Sequence, residues 1–146
     1  MNPFLMNSHN RLLSWRKLRE DISNQNDFEK VNAVSHYWSQ APLDKIAYDI
    51  EDIENIPSPW EMIEYNTWCR NSIAIGMEFT LRLSGIEENR LQLNMIIDPT
   101  ISDMMLVCIM DNYILNYEYD RIHTKLSSDA RIIKKIKYNK HNYIEF

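Results

Sequence analysis

The stretch YNTWCRNSIAIGMEF, residues 65–79, decides the fold, because its pattern predicts a helix that is buried on most sides. Apolar residues continue on nearly every face over residues 68–83. Gly85 follows, where a helix commonly ends in a left-handed residue. Gly76, in the middle of the predicted helix, costs about 1 kcal/mol relative to alanine. The close approach of another backbone would explain why a glycine is kept there.

Upstream of this helix, the pattern predicts an N-terminal helical hairpin within residues 1–42. Residues 10–23 and 27–40 each place apolar side chains on one stripe at helical spacing, and Asp27 is expected to cap the second helix. Residues 43–57 are acidic and have no sustained period, which favours an extended connection.

The motif PSPWE, residues 57–61, has the features of a helix start. Its serine is a strong N-cap, its second proline fits the first helical turn, and its glutamate completes a capping box. A short helix is therefore predicted over residues 59–65. Asn66 or Thr67 can then cap the central helix.

Downstream of the central helix, the period changes from that of a helix to that of strands. The strand-like segments are 91–97, 104–110 and 113–119, with Asp111-Asn112 as a two-residue hairpin turn. Residues 131–138 fit either a helix or a strand, and residues 142–146 fit a final edge strand. Helices first and strands afterwards predict an α+β fold in one domain, residues 1–146, whose core at 58–146 is a helix packed on an antiparallel sheet.

Composition excludes several classes of protein. The chain has 146 residues and only two glycines, which rules out a glycine-rich phosphate loop. A net charge of −5 argues against a general nucleic-acid binder. No apolar stretch is long enough to cross a membrane, and the N-terminus lacks the apolar centre of a signal peptide. Two cysteines do not make a disulfide framework, so a reducing cytoplasm is expected.

The charges are distributed unevenly along the chain. Residues 44–64 carry seven acidic side chains and one lysine, whereas residues 121–146 carry seven basic and two acidic side chains. The two segments are either solvated faces or partners of each other, or the basic end is a patch for an anionic partner. The candidate binding residues are Trp60, Lys134, Lys135 and Lys137. Trp60 is alternatively a hydrophobic staple over the helix start.

Cys69 lies where the central helix should begin, and a cysteine at that position has a chemical use. The positive end of a helix stabilises the thiolate, which is the nucleophilic form of the side chain. A cysteine enzyme also needs a base, commonly a histidine on a neighbouring strand, and a third polar group that orients it. Cys69 is alternatively a small residue packed in the core, as Cys108 is expected to be within its apolar run.

From Cys69 onward the sequence resembles the bacterial transglutaminase-like cysteine proteinases. In that family the cysteine opens a helix, His-Ala-Val-Leu lies on a later strand, and Leu-Asp-Asn lies on its hairpin partner. Here these positions hold Cys69, then Asp103 in Asp-Met-Met-Leu, then Asn116 in Leu-Asn-Tyr. The PSPWE box before the helix also resembles short proteins of tailed phages.

The resemblance implies a triad of Cys69, Asp103 and Asn116 that lacks its histidine. Asparagine is tolerable in the orienting position. Aspartate is a poor base for a thiol, because its negative charge opposes formation of the thiolate. The four histidines, His9, His36, His123 and His141, are not in the expected strand. No Cys/His pair has metal-ligand spacing, and Asp98 with Asp103 is only a weak oxygen cluster, so no metal or cofactor is expected.

The sequence therefore favours a non-catalytic interaction or accessory protein on a degenerate transglutaminase-like fold. Its partner is expected to be a protein rather than a membrane or a nucleic acid. It is expected to be phage-encoded and to act in the host cytoplasm. Two alternatives stay open, namely an active cysteine amide hydrolase or acyltransferase that uses Cys69, and a small structural component of a virion.

Overall fold

The computed structural model describes residues 2–44 and 49–138, and of Ile50, Ile53, Ser102 and Asp103 it describes the backbone alone. Four α-helices fill the first half of the chain: α1 (Ser8–Ile22), α2 (Asp27–Ser39), α3 (Pro59–Tyr65) and α4 (Arg70–Leu83). Short 3-10 segments lie at Pro3–Leu5, Ile50–Asn55 and Glu88–Arg90. The predicted extended connection at 43–57 is therefore partly helical, and its 3-10 segment is interrupted by Asp52 at φ −111°.

The helix caps follow the sequence in one case and differ from it in two. The capping box of PSPWE is confirmed, with Ser58 and Glu61 bonding each other's backbone N–H at 3.3 and 3.1 Å. Asn26, rather than Asp27, caps α2. Asn66 does not cap α4 but ends α3 in the left-handed conformation, with φ at 56°. The residue that caps α4 is Cys69.

Five strands form an antiparallel sheet in the order β4-β3-β2-β1-β5. They are β1 (Leu91–Asp98), β2 (Ser102–Met110), β3 (Tyr113–Glu118), β4 (Arg121–His123) and β5 (Arg131–Ile136). The predicted two-residue turn is confirmed, since Met110 pairs with Tyr113 around it. The ambiguous segment 131–138 contains a strand, β5, while β4 is a strand that the pattern did not predict. The predicted strand at 142–146 lies outside the described residues.

The main core lies between the helices and one face of the sheet. Residues 73–81 of α4 are all buried, as the apolar pattern predicted. Leu106 and Cys108 of β2 face this core. The opposite face carries a smaller cluster, which includes Ile96, Met105 and Val107. The fold is therefore the predicted mixture of helices and one antiparallel sheet.

Gly76 is where the central helix meets the indole ring of Trp38. A Cβ at this position would lie 2.6–2.9 Å from three carbons of that ring. The expectation of a neighbouring backbone is thus wrong, because an aromatic side chain makes the close approach. Thr80, one turn on, accepts hydrogen bonds from the Nε1 atoms of Trp38 and Trp15 at 2.9 and 2.8 Å. The Trp38 ring is therefore fixed both by its packing against Gly76 and by its hydrogen bond to Thr80.

Asp98, the last residue of β1, lies on the face of the sheet that carries the smaller cluster. It is fully buried and accepts hydrogen bonds from the hydroxyls of Tyr117, Thr100 and Ser127, and from the Thr100 backbone N–H. These bonds, led by the one from Tyr117, lower the pKa of Asp98 to about 2. The end of β1 is thereby joined to β3 and to the loop that precedes β5.

Candidate active site

The junction between α3 and α4 positions Cys69. Residues 43 and 44 run alongside Trp68 in a parallel bridge, in which the Asp44 N–H donates to the Trp68 carbonyl at 2.8 Å. The side chain of Asn66 accepts from Trp68 Nε1 at 3.1 Å and donates to the Phe4 carbonyl at 3.0 Å. The chain just before Cys69 is therefore fixed from two sides.

Cys69 is the N-cap of α4 and is only 7% exposed. Ser72 Oγ accepts from the Cys69 N–H at 2.9 Å and donates to the Cys69 carbonyl at 3.0 Å. The sulfur in turn faces the Ser72 backbone N–H in a capping-box arrangement. The thiol thus lies at the positive end of a helix, where the sequence predicted it, but beneath other side chains.

Asn116, on β3, joins the sheet to the start of α4. Its backbone is left-handed, with φ at 70°, and its Nδ2 donates to the carbonyls of Arg70 and Leu106 at 2.9 and 3.0 Å. Asn71 Oδ1 accepts from the Leu106 N–H at 3.3 Å. The amide donor that the resemblance assigns to orienting a base is therefore bonded to two main-chain carbonyls.

Arg70, directly after the cysteine, reaches across to β3. Its Nη2 donates to the carbonyls of Asn116 and Tyr117 at 3.3 and 3.0 Å and lies 3.9 Å from the sulfur of Met105. Burial lowers the pKa of Arg70 from its ordinary value, and a guanidinium stays charged in proteins. A positive charge at a helix N-terminus is unfavourable by itself, and the carbonyl oxygens offset that cost.

Leu106 of β2 bonds both Asn116 and Asn71, in the first turn of α4, through its backbone, and its side chain is fully buried. Asp103 lies three residues earlier in β2, about 10 Å away at the rise of a strand. The assignment of Asp103 to the histidine position stays a prediction, because its side chain is not described.

The described histidines lie on elements other than β2. His36 of α2 contacts Asp120 at 3.1 Å, and His123 of β4 contacts Glu118 at 2.8 Å. His9 is exposed in the first turn of α1. His141 lies outside the described residues.

The predicted binding residues separate into two groups. Trp60 is 6% exposed and packs edge-on against Trp15 and Phe79, so it is a core residue and not a surface anchor. Lys134, Lys135 and Lys137 are exposed on or just after β5. Lys134 Nζ lies 3.1 Å from Glu51 Oε2, so the acidic and basic segments do meet at one point.

A cleft of about 80 Å³ lies beside the start of α4 and β3. Arg70 and Asn116 line it together with apolar side chains that include Leu43 and Met77, but Cys69 is not among the described residues that do so. Among the described side chains of residues 2–44 and 49–138, no three His, Cys, Asp or Glu could together hold a metal ion. No helix in the same ranges is long and apolar enough to cross a membrane.

A cysteine at the start of a central helix, packed on an antiparallel sheet, is the arrangement of the transglutaminase-like fold, and the chain has this fold. Similar solved structures are those of LapG from Legionella pneumophila. The calcium-bound form matches with a TM-score of 0.76 and 18% identity, over 90% of this chain and 77% of LapG. The EGTA-treated form gives 0.76 and 18%, over 89% and 74%. No family model and no curated protein matches the sequence.

Proposed function

We propose that this chain is a non-catalytic interaction or accessory protein built on the transglutaminase-like fold. The observation that carries the proposal is the use of the polar groups around Cys69. Asn116 bonds two main-chain carbonyls, and Arg70 bonds two more. These side chains hold β3 against α4, which is a structural task.

Acyl transfer by a cysteine needs a base within hydrogen-bond reach of the sulfur or of a water beside it. Two described β2 residues contact the first turn of α4, and both are apolar: the Leu106 backbone N–H bonds Asn71, and the Met105 sulfur lies beside Arg70. His36 and His123 are each bonded to a carboxylate. A binding role needs none of this chemistry, which is why it fits the arrangement best.

Activity assays on matched cysteine variants test this proposal. The purified chain is incubated with a protected glutaminyl-glycine and hydroxylamine, and separately with a fluorogenic peptide amide. We expect the wild type, Cys69→Ser and Cys108→Ser to give the same signal as buffer. Cys108 is the matched control because it is a fully buried core thiol. Turnover that Cys69→Ser abolishes and Cys108→Ser retains would overturn the proposal.

One observation favours a second candidate, an active cysteine amide hydrolase or acyltransferase. The Cys69 sulfur lies at the N-terminus of α4 and faces a backbone N–H, which is the setting of an activated thiol. Iodoacetamide labelling of a Cys108→Ser variant compares native and urea-unfolded protein. Slower labelling in the native state supports the binding role, whereas faster labelling favours the enzyme.

The site of action belongs to the same proposal. We place the protein in the cytoplasm, which is the host cytoplasm if a tailed phage encodes it. Both cysteines lie in the described part of the chain and neither is in a disulfide, which supports a reducing compartment. Mass spectrometry of purified phage particles tests the remaining alternative, a virion component.

A further inference from the structure

We propose that the outer edge of β5 binds an acidic peptide segment in extended conformation by strand addition. This inference names the partner class of the proposed interaction protein and rests on that function. The feature that carries it is the exposed segment Arg131–Ile136, at one end of the sheet. An edge strand presents a row of backbone N–H and C=O groups that a further strand can pair with.

The two edges of the sheet differ. At one end, β4 has only three residues and α2 packs against it. At the other end, β5 has six residues, of which five are exposed, and no further strand flanks it within the described ranges. Among the described strands, β5 is therefore the edge with the longer exposed run.

The side chains of β5 combine apolar and cationic character. Ile132 and Ile133 are 53% and 49% exposed, so they leave apolar surface on this strand. Arg131, Lys135 and Lys137 form no ion pair with any described residue. Lys134 does pair with Glu51, but both side chains are more than half exposed, so a competing carboxylate can displace that contact at little cost.

Charge selects the partner. Lysines on an edge strand oppose pairing with a second copy of the same basic strand, because like charges would face each other. A strand that carries glutamate or aspartate would instead gain attraction from Arg131, Lys135 and Lys137. The chain as a whole has a net charge of −5, which disfavours long polyanions such as nucleic acid. A peptide strand also offers main-chain partners for the open edge, which a lipid surface cannot.

The probe for this proposal is a short fluorescein-labelled peptide that alternates valine and glutamate, titrated with the full chain and followed by fluorescence anisotropy. We expect saturable binding that weakens at high salt. Lys135→Glu should weaken it about tenfold, since an attraction becomes a repulsion. Lys125→Glu changes the net charge equally but lies in the loop after β4, and should change the affinity less than about twofold.

A second peptide separates strand addition from simple charge attraction. It has the same sequence with alternate backbone nitrogens methylated, so it keeps its charge but loses the hydrogen bonds of one edge. We expect it to bind about tenfold more weakly than the unmodified peptide. Equal affinities for the two peptides, equal effects of the two lysine variants, or no binding at all would overturn the proposal. Preferential binding of anionic vesicles or single-stranded DNA would overturn it as well.

Peptide binding at β5 is expected to be independent of Cys69. A Cys69→Ser variant should bind the peptide as the wild type does. If turnover by Cys69 is found and the peptide still binds, the non-catalytic function fails and this inference stands. If no turnover is found and the peptide does not bind, the inference fails alone.

Discussion

Substituting Gly76 by alanine should destabilise the protein, although alanine is the better helix former. The added Cβ would lie 2.6 Å from Trp38 Cη2, so either the ring or α4 must move. The ring cannot move freely, because Thr80 holds its Nε1 at 2.9 Å and Trp68 packs against it with ring centroids 5.0 Å apart. Overpacking a core of this kind costs about 1–3 kcal/mol, and the upper end applies here.

The helix-propensity gain offsets about 1 kcal/mol of that cost. We therefore expect the free energy of unfolding to fall by about 2 kcal/mol, with a loss of about 4–8 °C in Tm for a chain of this size. Urea denaturation followed by far-ultraviolet circular dichroism measures the change. The free energy is read from the midpoint, provided that the slope stays constant.

A double-mutant cycle with Trp38→Phe supplies the control. Phenylalanine removes ring atoms that the new Cβ would meet, so Gly76→Ala should cost less in the Trp38→Phe background than in the wild type. An alanine variant as stable as the wild type, or a cost that Trp38→Phe leaves unchanged, would refute the steric argument.

Substitutions at three further residues and one labelling experiment test other contacts. Thr80→Val removes the acceptor of two buried indole N–H groups and should cost about 2–4 kcal/mol in urea denaturation, whereas Thr80→Ser keeps the hydroxyl and should cost less than half as much. The pKa of Asp98 is about 2, against an ordinary 3.8. Its contribution to the free energy of unfolding is therefore full above pH 3.8 and is lost as the pH falls toward 2. Asp98→Asn should remove that decline when stability is measured against pH, and an unchanged decline would contradict the argument. Arg70→Ala leaves two main-chain carbonyls of β3 without their guanidinium donor and should lower the free energy of unfolding by about 1–3 kcal/mol. Arg70→Lys should recover part of that loss. An alanine variant of full stability would show that water replaces the guanidinium. Burial raises the pKa of Cys108 well above its ordinary value, so iodoacetamide should label it only after unfolding, as peptide mass spectrometry of a Cys69→Ser variant would show.

Local signals in the sequence predicted the elements whose causes are local. The capping box of Ser58 and Glu61 needs only neighbours three residues apart, and the structure has it at the predicted residues. The start of α4 was predicted less well, because Asn66 is drawn away from capping by bonds to Trp68 and to Phe4, which is 62 residues distant. No local pattern carries that information.

In the candidate site, too, features with local causes were predictable from the sequence and features with distant causes were not. The position of Cys69 at a helix start follows from the apolar run after it, and the structure has it there. The reach of Arg70 to carbonyls 46 and 47 residues away does not follow from any spacing, nor does the use of the Asn116 amide by the main chain. For Trp60 the sequence left open a surface anchor and a packed residue over the helix start, and the structure has it buried in the core. The three-residue strand β4 is too short to show any period.

All four tryptophans lie in the core between the helices and the sheet, and the cluster on the opposite face contains Tyr117 but no tryptophan. Intrinsic fluorescence excited at the red edge of the indole band therefore reports one side of the sheet selectively. If the loop that contains Ser127 opens before the helices detach from the sheet, tryptophan emission will stay constant while amide protons near Tyr117 exchange. The native chain thus carries an optical probe that distinguishes opening of one face from global unfolding.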